Sequence, residues 1–457
     1  MLGVRVKFAR SFAIIISWLL IPASKLLTRL ICCLLSWLPL MTRIYSLTFL
    51  LLSFFSICHA QQKGENALLE IMHQHPEQFD SILAHKDRYR LQIVYTRIER
   101  DKQNQPHVTT WAMDTDRYFY YPASMIKLLE IPLAMEKISM LKKKYGVSIY
   151  DSLVVSGDPC GDLGEVNYMK RPNFSTPAQM IKEMLLVSNN HAFNPLYDFL
   201  GQAYFNKRAH ELGYPSAIVC GRFAGCDTFQ NRTTSTVDFY NRETGALKYV
   251  QPAAINPDQP EIKHMNTVVG KGFMNGTHMD PPKNFNHNNY ISLWDLNKLL
   301  VRLTLPKLQP KKQQLHLTTA DYAFIHKYMG MFLHECVFPK YDGPENPDCK
   351  YKFFMTPADV SGKAPDGVRI FNKVGQAYGF VTDCSYFADT INKVEFFLSC
   401  SIYVCKNEIL NADVYEYESI AMPFFRNLCN AIYTDELSRK RKHKPVFEPW
   451  DFSDKVF

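Results

Sequence analysis

Three short groups of residues in this sequence have the types and order needed for nucleophilic catalysis. They are Ser124-Met125-Ile126-Lys127, Ser188-Asn189-Asn190 and Lys373-Val374-Gly375. A serine hydroxyl is a weak nucleophile and needs a neighbouring base. On a helix, positions three apart share a face, so Lys127 can reach Ser124. A lysine buried among other cations loses proton affinity and becomes usable as that base. Lys373 would supply such a cation and would attract a substrate carboxylate. Ser188 would relay a proton to a leaving amine, and Asn190 would hold Lys127 and a substrate amide. The backbone N–H of Ser124, at a helix start, is one half of an oxyanion hole. The N–H of Gln376, next to Gly375, is the candidate for the other half. A second Ser-x-x-Lys, Ser139 to Lys142, reads as a chance match within a helix. Lys144-Tyr145-Gly146 reads as a helix stop with glycine in the left-handed position.

The elements that must position these groups can be read from periodicity. Residues 65–85 pattern as one amphipathic helix, and Arg90 to Ile98 and Val108 to Met113 as strands. Pro122 suits a helix entry, and the helix that follows runs through Leu128, Leu133 and Ile138. Thr176-Pro177 opens another helix, to about Val187, which Ser188-Asn189-Asn190 separates from the next. Residues 214–290 are rich in Asn, Gly, Pro and Thr and read as a long loop or insertion. Ser292 to Leu303 is an amphipathic helix. Strands follow at Arg369–Val374, Gly379–Ala388 and Lys393–Val404, then a closing helix over Val414–Tyr433. The expected fold class is α/β in the α+β sense: N- and C-terminal strands in one mostly antiparallel sheet, with flanking helices and a separate helical subdomain.

The segments YYPASMIKLLEIP, VSNNHAFN and FNKVGQAYGFVTDCSYFA carry a resemblance. Over roughly residues 65–435 the chain resembles the serine penicillin-recognising enzymes, and among them the class A β-lactamases. The resemblance implies a five-stranded antiparallel sheet beside an all-helical subdomain. It also implies acylation of Ser124 by a β-lactam or a cell-wall peptide. Asn189 stands where the family commonly has Asp, and Val374 where it commonly has Thr or Ser. The family's deacylating glutamate lies on a loop after the Ser-x-Asn motif. Here the corresponding window, residues 221–231, holds Arg222, Asp227 and Asn231 but no Glu. Glu211 and Glu243 flank it, Glu261 is more distant, and Glu165 precedes Ser188. Without that base an acyl-enzyme would clear slowly.

Charge and cysteine usage narrow the remaining classes. Residues 1–60 contain six Lys/Arg and no Asp or Glu, leaving 46 basic against 44 acidic residues in the body. A body so nearly neutral gives no electrostatic footprint for nucleic acid. Residues 41–60 follow the pattern of a secretory signal, with Met41 expected as the start and cleavage expected after Ala60. The alternatives are a membrane anchor within residues 1–40, or a lipoprotein at Cys58. The expected organisation is an export segment at 1–60, the hydrolase domain at 61–435 with its insertion at about 214–290, and a basic flexible tail at 436–457. Nine cysteines follow Ala60, an odd number. Cys220/Cys226, Cys336/Cys349 and Cys400/Cys405 are the local disulfide candidates. No C-x-x-C or H-E-x-x-H occurs, so no metal or other cofactor is expected. The expected function is an exported, periplasmic or secreted, monomeric serine hydrolase of the class A β-lactamase type. The alternatives are an acyltransferase or peptidase on cell-wall peptides, and a non-catalytic binding protein of the same fold.

Overall fold

The chain before Ser124 builds two of the five strands of the main sheet and part of one covering layer. The computed structural model describes residues 66–157, 160–161, 173–310, 313–355 and 364–457. The export segment, its cleavage point, Cys58 and Glu165 lie outside the described residues. Two helices come first, α1 (Ala67–His73) and α2 (Pro76–Ala84), where one had been expected. The break falls at His75, whose backbone (φ −130, ψ 59) leaves the helical region because a proline follows it. Strands β1 (Gln92–Arg100) and β2 (Pro106–Met113) then pair antiparallel.

The middle of the chain is the helical subdomain. A 3-10 turn, Ala123–Ile126, leads into α3 (Lys127–Tyr145), which ends at Gly146 in the left-handed conformation. Strand β3 (Ser152–Ser156) precedes α4 (Pro177–Leu186), α5 (Asn190–Leu200) and α6 (Gln202–Glu211). Thr176 caps α4 and Pro177 opens it, as the sequence indicated. The 214–290 stretch carries β4 (Thr236–Tyr240) and β5 (Leu247–Gln251), which extend β3 into a three-stranded sheet. Helices α7 (Leu293–Thr304) and α8 (Thr319–Gly330) follow.

Strands β6 (Val368–Ala377), β7 (Phe380–Asp389) and β8 (Val394–Tyr403) complete the main sheet, and α9 (Met422–Ser438) closes the domain. The sheet is five-stranded and antiparallel in the order β6-β7-β8-β1-β2. One face carries the cluster of Leu68, Ile71, Phe79, Phe424, Phe425 and Leu428 from α1, α2 and α9. The other packs on α7 and the helical subdomain through Leu296, Leu300, Leu128, Leu129 and Leu133. This is the expected fold class.

The C-terminal residues fold onto the domain instead of leaving it as a free tail. Lys182 and Asp454 form an ion pair with both side chains fully buried, at 2.7 Å. Phe457 is buried against Phe324 and Tyr328, and Trp450 packs on Phe371 at 4.9 Å between centroids. The basic run had hidden this, because the anchoring residues lie after it.

The disulfide expectations are corrected. Cys160 bonds Cys226, while Cys220, Cys336, Cys349, Cys400 and Cys405 are free. Cys400 and Cys405 belong to the cores on opposite faces of the sheet. Cys336 belongs to one core and Cys349 packs against the other. Among the described residues no helix is long and apolar enough to cross a membrane.

The buried pair at the C-terminus yields a direct test. Asp454→Ala strands the Lys182 ammonium in the interior, which is expected to cost about 3 kcal/mol of unfolding free energy in urea titrations.

Candidate active site

The 3-10 turn that presents Ser124 is set by its backbone. Met125 donates its N–H to the Pro122 carbonyl at 2.9 Å, and Ala123 sits at φ 47. A positive φ at a non-glycine residue costs of order 1–3 kcal/mol and persists only where its surroundings enforce it. Here the enforcement comes from β6. A Cβ added at Gly375 would lie 2.3 Å from Pro122 O and 3.3 Å from Met125 N. Only glycine lets the strand approach this closely.

Three elements bring the sequence-indicated residues together. From the start of α3, Lys127 places Nζ 2.9 Å from Ser124 Oγ, 2.5 Å from Ser188 O and 2.6 Å from Asn190 Oδ1. Ser188 sits in the turn between α4 and α5 at φ 58. Lys373, from β6, donates to Ser188 Oγ at 2.7 Å. Lys127 and Lys373 are buried, while Ser124 and Ser188 are partly open.

Asn189 also has a definite role. Its side chain caps α5 by accepting from His191 N, and it donates to buried Glu183 at 2.7 Å. An amide can do both, whereas an ionised aspartate could not donate.

The electrostatics favour a neutral Lys127. Burial, with the Lys373 charge adding to it, holds its proton affinity well below the ordinary lysine range. The geometry suits a free amine. Nζ is within donating reach of Ser124 Oγ, Ser188 O and Asn190 Oδ1, and a free amine keeps the last two donations while turning its lone pair to the Ser124 hydroxyl. Burial brings Lys373 down to about 7, against the opposing pull of Asp383. A lysine near that value is part charged at neutral pH and can attract a carboxylate.

The hairpin joining β6 to β7 defines the second backbone donor. Tyr378 and Gly379 have φ 53 and 85, a two-residue turn of the primed kind. Ala377 opposite Phe380 closes it, so Gln376 opposite Val381 falls at a non-hydrogen-bonded position of the ladder. Because β6 is an edge strand, the Gln376 N–H points off the sheet. Val374 offers a buried isopropyl group next to Lys373 and no hydroxyl.

The loop after Ser188 brings an aromatic ring to the lysine. Phe223 lies over Lys127 Nζ at 4.7 Å and packs edge-on against Phe193 at 4.9 Å. Its N–H donates to Asn194 Oδ1 at 2.9 Å. Beside it Arg222 forms a fully buried ion pair with Asp198 at 2.6 Å and donates to Gln230 O and Thr233 O. Asn231 Oδ1 accepts from Arg222 N, and Cys226 ties the loop to Cys160.

The acidic candidates from the sequence are engaged elsewhere. Asp227 caps a short helix, Glu211 pairs with Lys207 and Arg208, and Glu261 with Lys263 and Asn286. Glu243 lies in an exposed turn. One carboxyl that sequence reasoning missed lies near Lys127. Glu130 is fully buried one helical turn on, neither oxygen has a hydrogen-bond partner, and burial keeps it protonated. The available signal was an acid at i+3 in the apolar run Leu128 to Ile131. Among the described residues no group of His, Cys, Asp and Glu could hold a metal ion.

The Beta-lactamase enzyme family matches residues 77–241, a span containing Ser124, Lys127, Ser188 and Asn190. The matched span, less than half of the chain, is similar to a serine β-lactamase-like family. Solved structures to which the chain is similar include a class A β-lactamase from Bacteroides cellulosilyticus, at 11% identity over 82% of this chain and 100% of that one, TM-score 0.43. Another is a β-lactamase from Desulfarculus baarsii, at 14% identity over 81% and 99%, TM-score 0.41. A third is a halotolerant bacterial β-lactamase, at 10% identity over 81% and 99%, TM-score 0.43. No curated protein matches.

Two experiments test this arrangement. Gly375→Ala pushes β6 off the serine turn, and a misplacement near 1 Å is expected to slow acylation on the order of 10²-fold. The pH profile of the second-order acylation constant reports the free enzyme and should be bell-shaped. Its acid limb is the protonation of Lys127, lying well below the ordinary lysine range. Its alkaline limb falls near 7, because the Lys373 charge is present below that value and lost above it. In Lys373→Gln the alkaline limb should vanish.

Proposed function

We propose that the chain is a serine acyl-enzyme former that opens β-lactams and holds the product on Ser124. The supporting observation is the contact of Lys127 Nζ with Ser124 Oγ at 2.9 Å, in a buried setting that favours the neutral amine. Ser124 Oγ attacks the amide carbonyl and its proton passes to Lys127. The oxyanion meets the N–H groups of Ser124 and Gln376. The C–N bond breaks as Ser188 protonates the leaving nitrogen, and its hydroxyl is refilled from the lysine pair. The assembled contacts weigh against a non-catalytic binding protein.

The slow second half of the reaction follows from Phe223. A ring occupies the space over Lys127 on the loop where the family carries its water-activating glutamate. Loss of a general base costs about 10²–10⁴-fold. Taken from a typical turnover of ~10 per second, that leaves about 0.1 to 0.001 per second. Stable acylation also fits the alternative natural substrate, a cell-wall peptide. We place this chemistry in the periplasm or outside the cell, in keeping with the signal pattern of residues 41–60.

Intact mass spectrometry with benzylpenicillin tests the reading. The expected result is one adduct on the wild type that persists for many seconds to minutes and is absent from Ser124→Ala. Labelling that survives Ser124→Ala would refute it. Phe223→Glu should shorten the adduct lifetime tenfold or more.

A further inference from the structure

The 214–290 stretch places one more cation beside this site. Lys283 sits over the rings of Phe273, Phe285 and Tyr378, at 5.0, 5.4 and 5.7 Å from their centroids. These rings form a continuous cluster with Tyr121, which lies 5.1 Å from Phe285 and 5.7 Å from Tyr378. Both tyrosines flank the reacting centre. Tyr121 is three residues before Ser124, and Tyr378 is two residues after Gln376. Tyr378 stands in the turn that ends the strand carrying Gln376, so the caged ammonium lies beside that end of the hairpin.

What is missing around Lys283 gives the site its character. Among the described residues no carboxylate or hydrogen-bond acceptor pairs with its ammonium. Its proton affinity is lowered by burial, with no charged neighbour contributing. Aromatic faces attract a cation and hold its position, but they cancel none of its charge. Lys283 is half-buried, so the ammonium is fixed in place yet reachable by a ligand. Phe285 and Tyr121 are buried behind it, and the partly exposed rings of Phe273 and Tyr378 offer apolar contact to the stem that would carry an anion.

We infer that Lys283 and the partly exposed rings of Phe273 and Tyr378 form a subsite for an acyl side chain bearing a carboxylate on an apolar or aryl stem. The inference rests on the reading of Ser124 as the acylated residue and names the substrate class that this residue takes. It is distinct from the carboxylate attraction of Lys373, which lies on the opposite side of Gln376 along β6. Two groups on one substrate would thus be read, one at each end of the oxyanion strand segment.

The experiment compares benzylpenicillin with the penicillin whose phenylacetyl side chain carries an added α-carboxylate. Acylation constants are measured by quenched intact mass spectrometry. The wild type should favour the carboxylated compound about tenfold, as for a charge-assisted hydrogen bond. Lys283→Met should abolish the preference while leaving benzylpenicillin acylation within about twofold, and Lys283→Arg should restore it in part. Equal rates in the wild type, or a preference that survives Lys283→Met, would overturn the subsite while Ser124 labelling stands. Absence of labelling by either compound would overturn the acyl-enzyme reading and the subsite with it.

Discussion

The desolvated amine of Lys127 is the constraint around which this protein is arranged. Burying a lysine nitrogen is costly unless every polar direction is satisfied. Here its partners come from two separate stretches: Ser124 ahead of α3, and Ser188 with Asn190 at the α4–α5 turn. Lys373, on β6, reaches the same Ser188 and adds the positive field that keeps Lys127 neutral. The helical subdomain and the sheet must therefore dock in one register for the base to exist at all. Backbone conformations reflect this demand. Ala123 and Ser188, both non-glycine, carry positive φ on either side of the amine.

The loop over Lys127 fixes what stands beside the lysine. Its anchors are strong: a buried Arg222–Asp198 ion pair, side-chain caps from Asn194 and Asn231, and a disulfide through Cys226. So fixed a loop has little freedom to bring another group to the lysine. What it holds there is the Phe223 ring, which excludes water and offers no proton acceptor. The nearby acid, Glu130, lies further along α3, sealed among apolar neighbours and protonated. Under the proposed function, this arrangement favours making an acyl bond over breaking it.

The sheet contributes rigidity and one precise approach. Lys373 faces the helical subdomain, while Asn372 and Val374 turn to the other face, where Asp383 accepts from Asn372, Ser385 and Phe353 N. The period-two alternation of a strand thus separates a reactive face from a structural polar network. Gly375 allows the strand to touch the serine turn, and the primed turn at Tyr378–Gly379 sets which amide faces outward.

Much of this was legible in the sequence, for local reasons. Five strands, the amphipathic α7, the Thr176 cap and the Gly146 stop follow from periodicity and from side chains acting on their own backbone. Ser124 with Lys127 was legible because helix geometry puts i and i+3 on one face. Ser188, Asn190 and Lys373 could be named as types in order, but their meeting point could not. The contacts that join them span 61 to 185 residues, and only packing fixes such distances. The same limit explains what was missed. The Cys160–Cys226 bond links residues 66 apart, and the Lys182–Asp454 pair residues 272 apart. Phe223 over Lys127, and Lys283 beside Tyr378, carry no local signal, because an aromatic or a lysine in a polar loop satisfies its own backbone equally well anywhere. Sequence determined which chemistry was available. Tertiary structure decided which groups meet, because burial alone makes one lysine a base and leaves another beside a cage of rings.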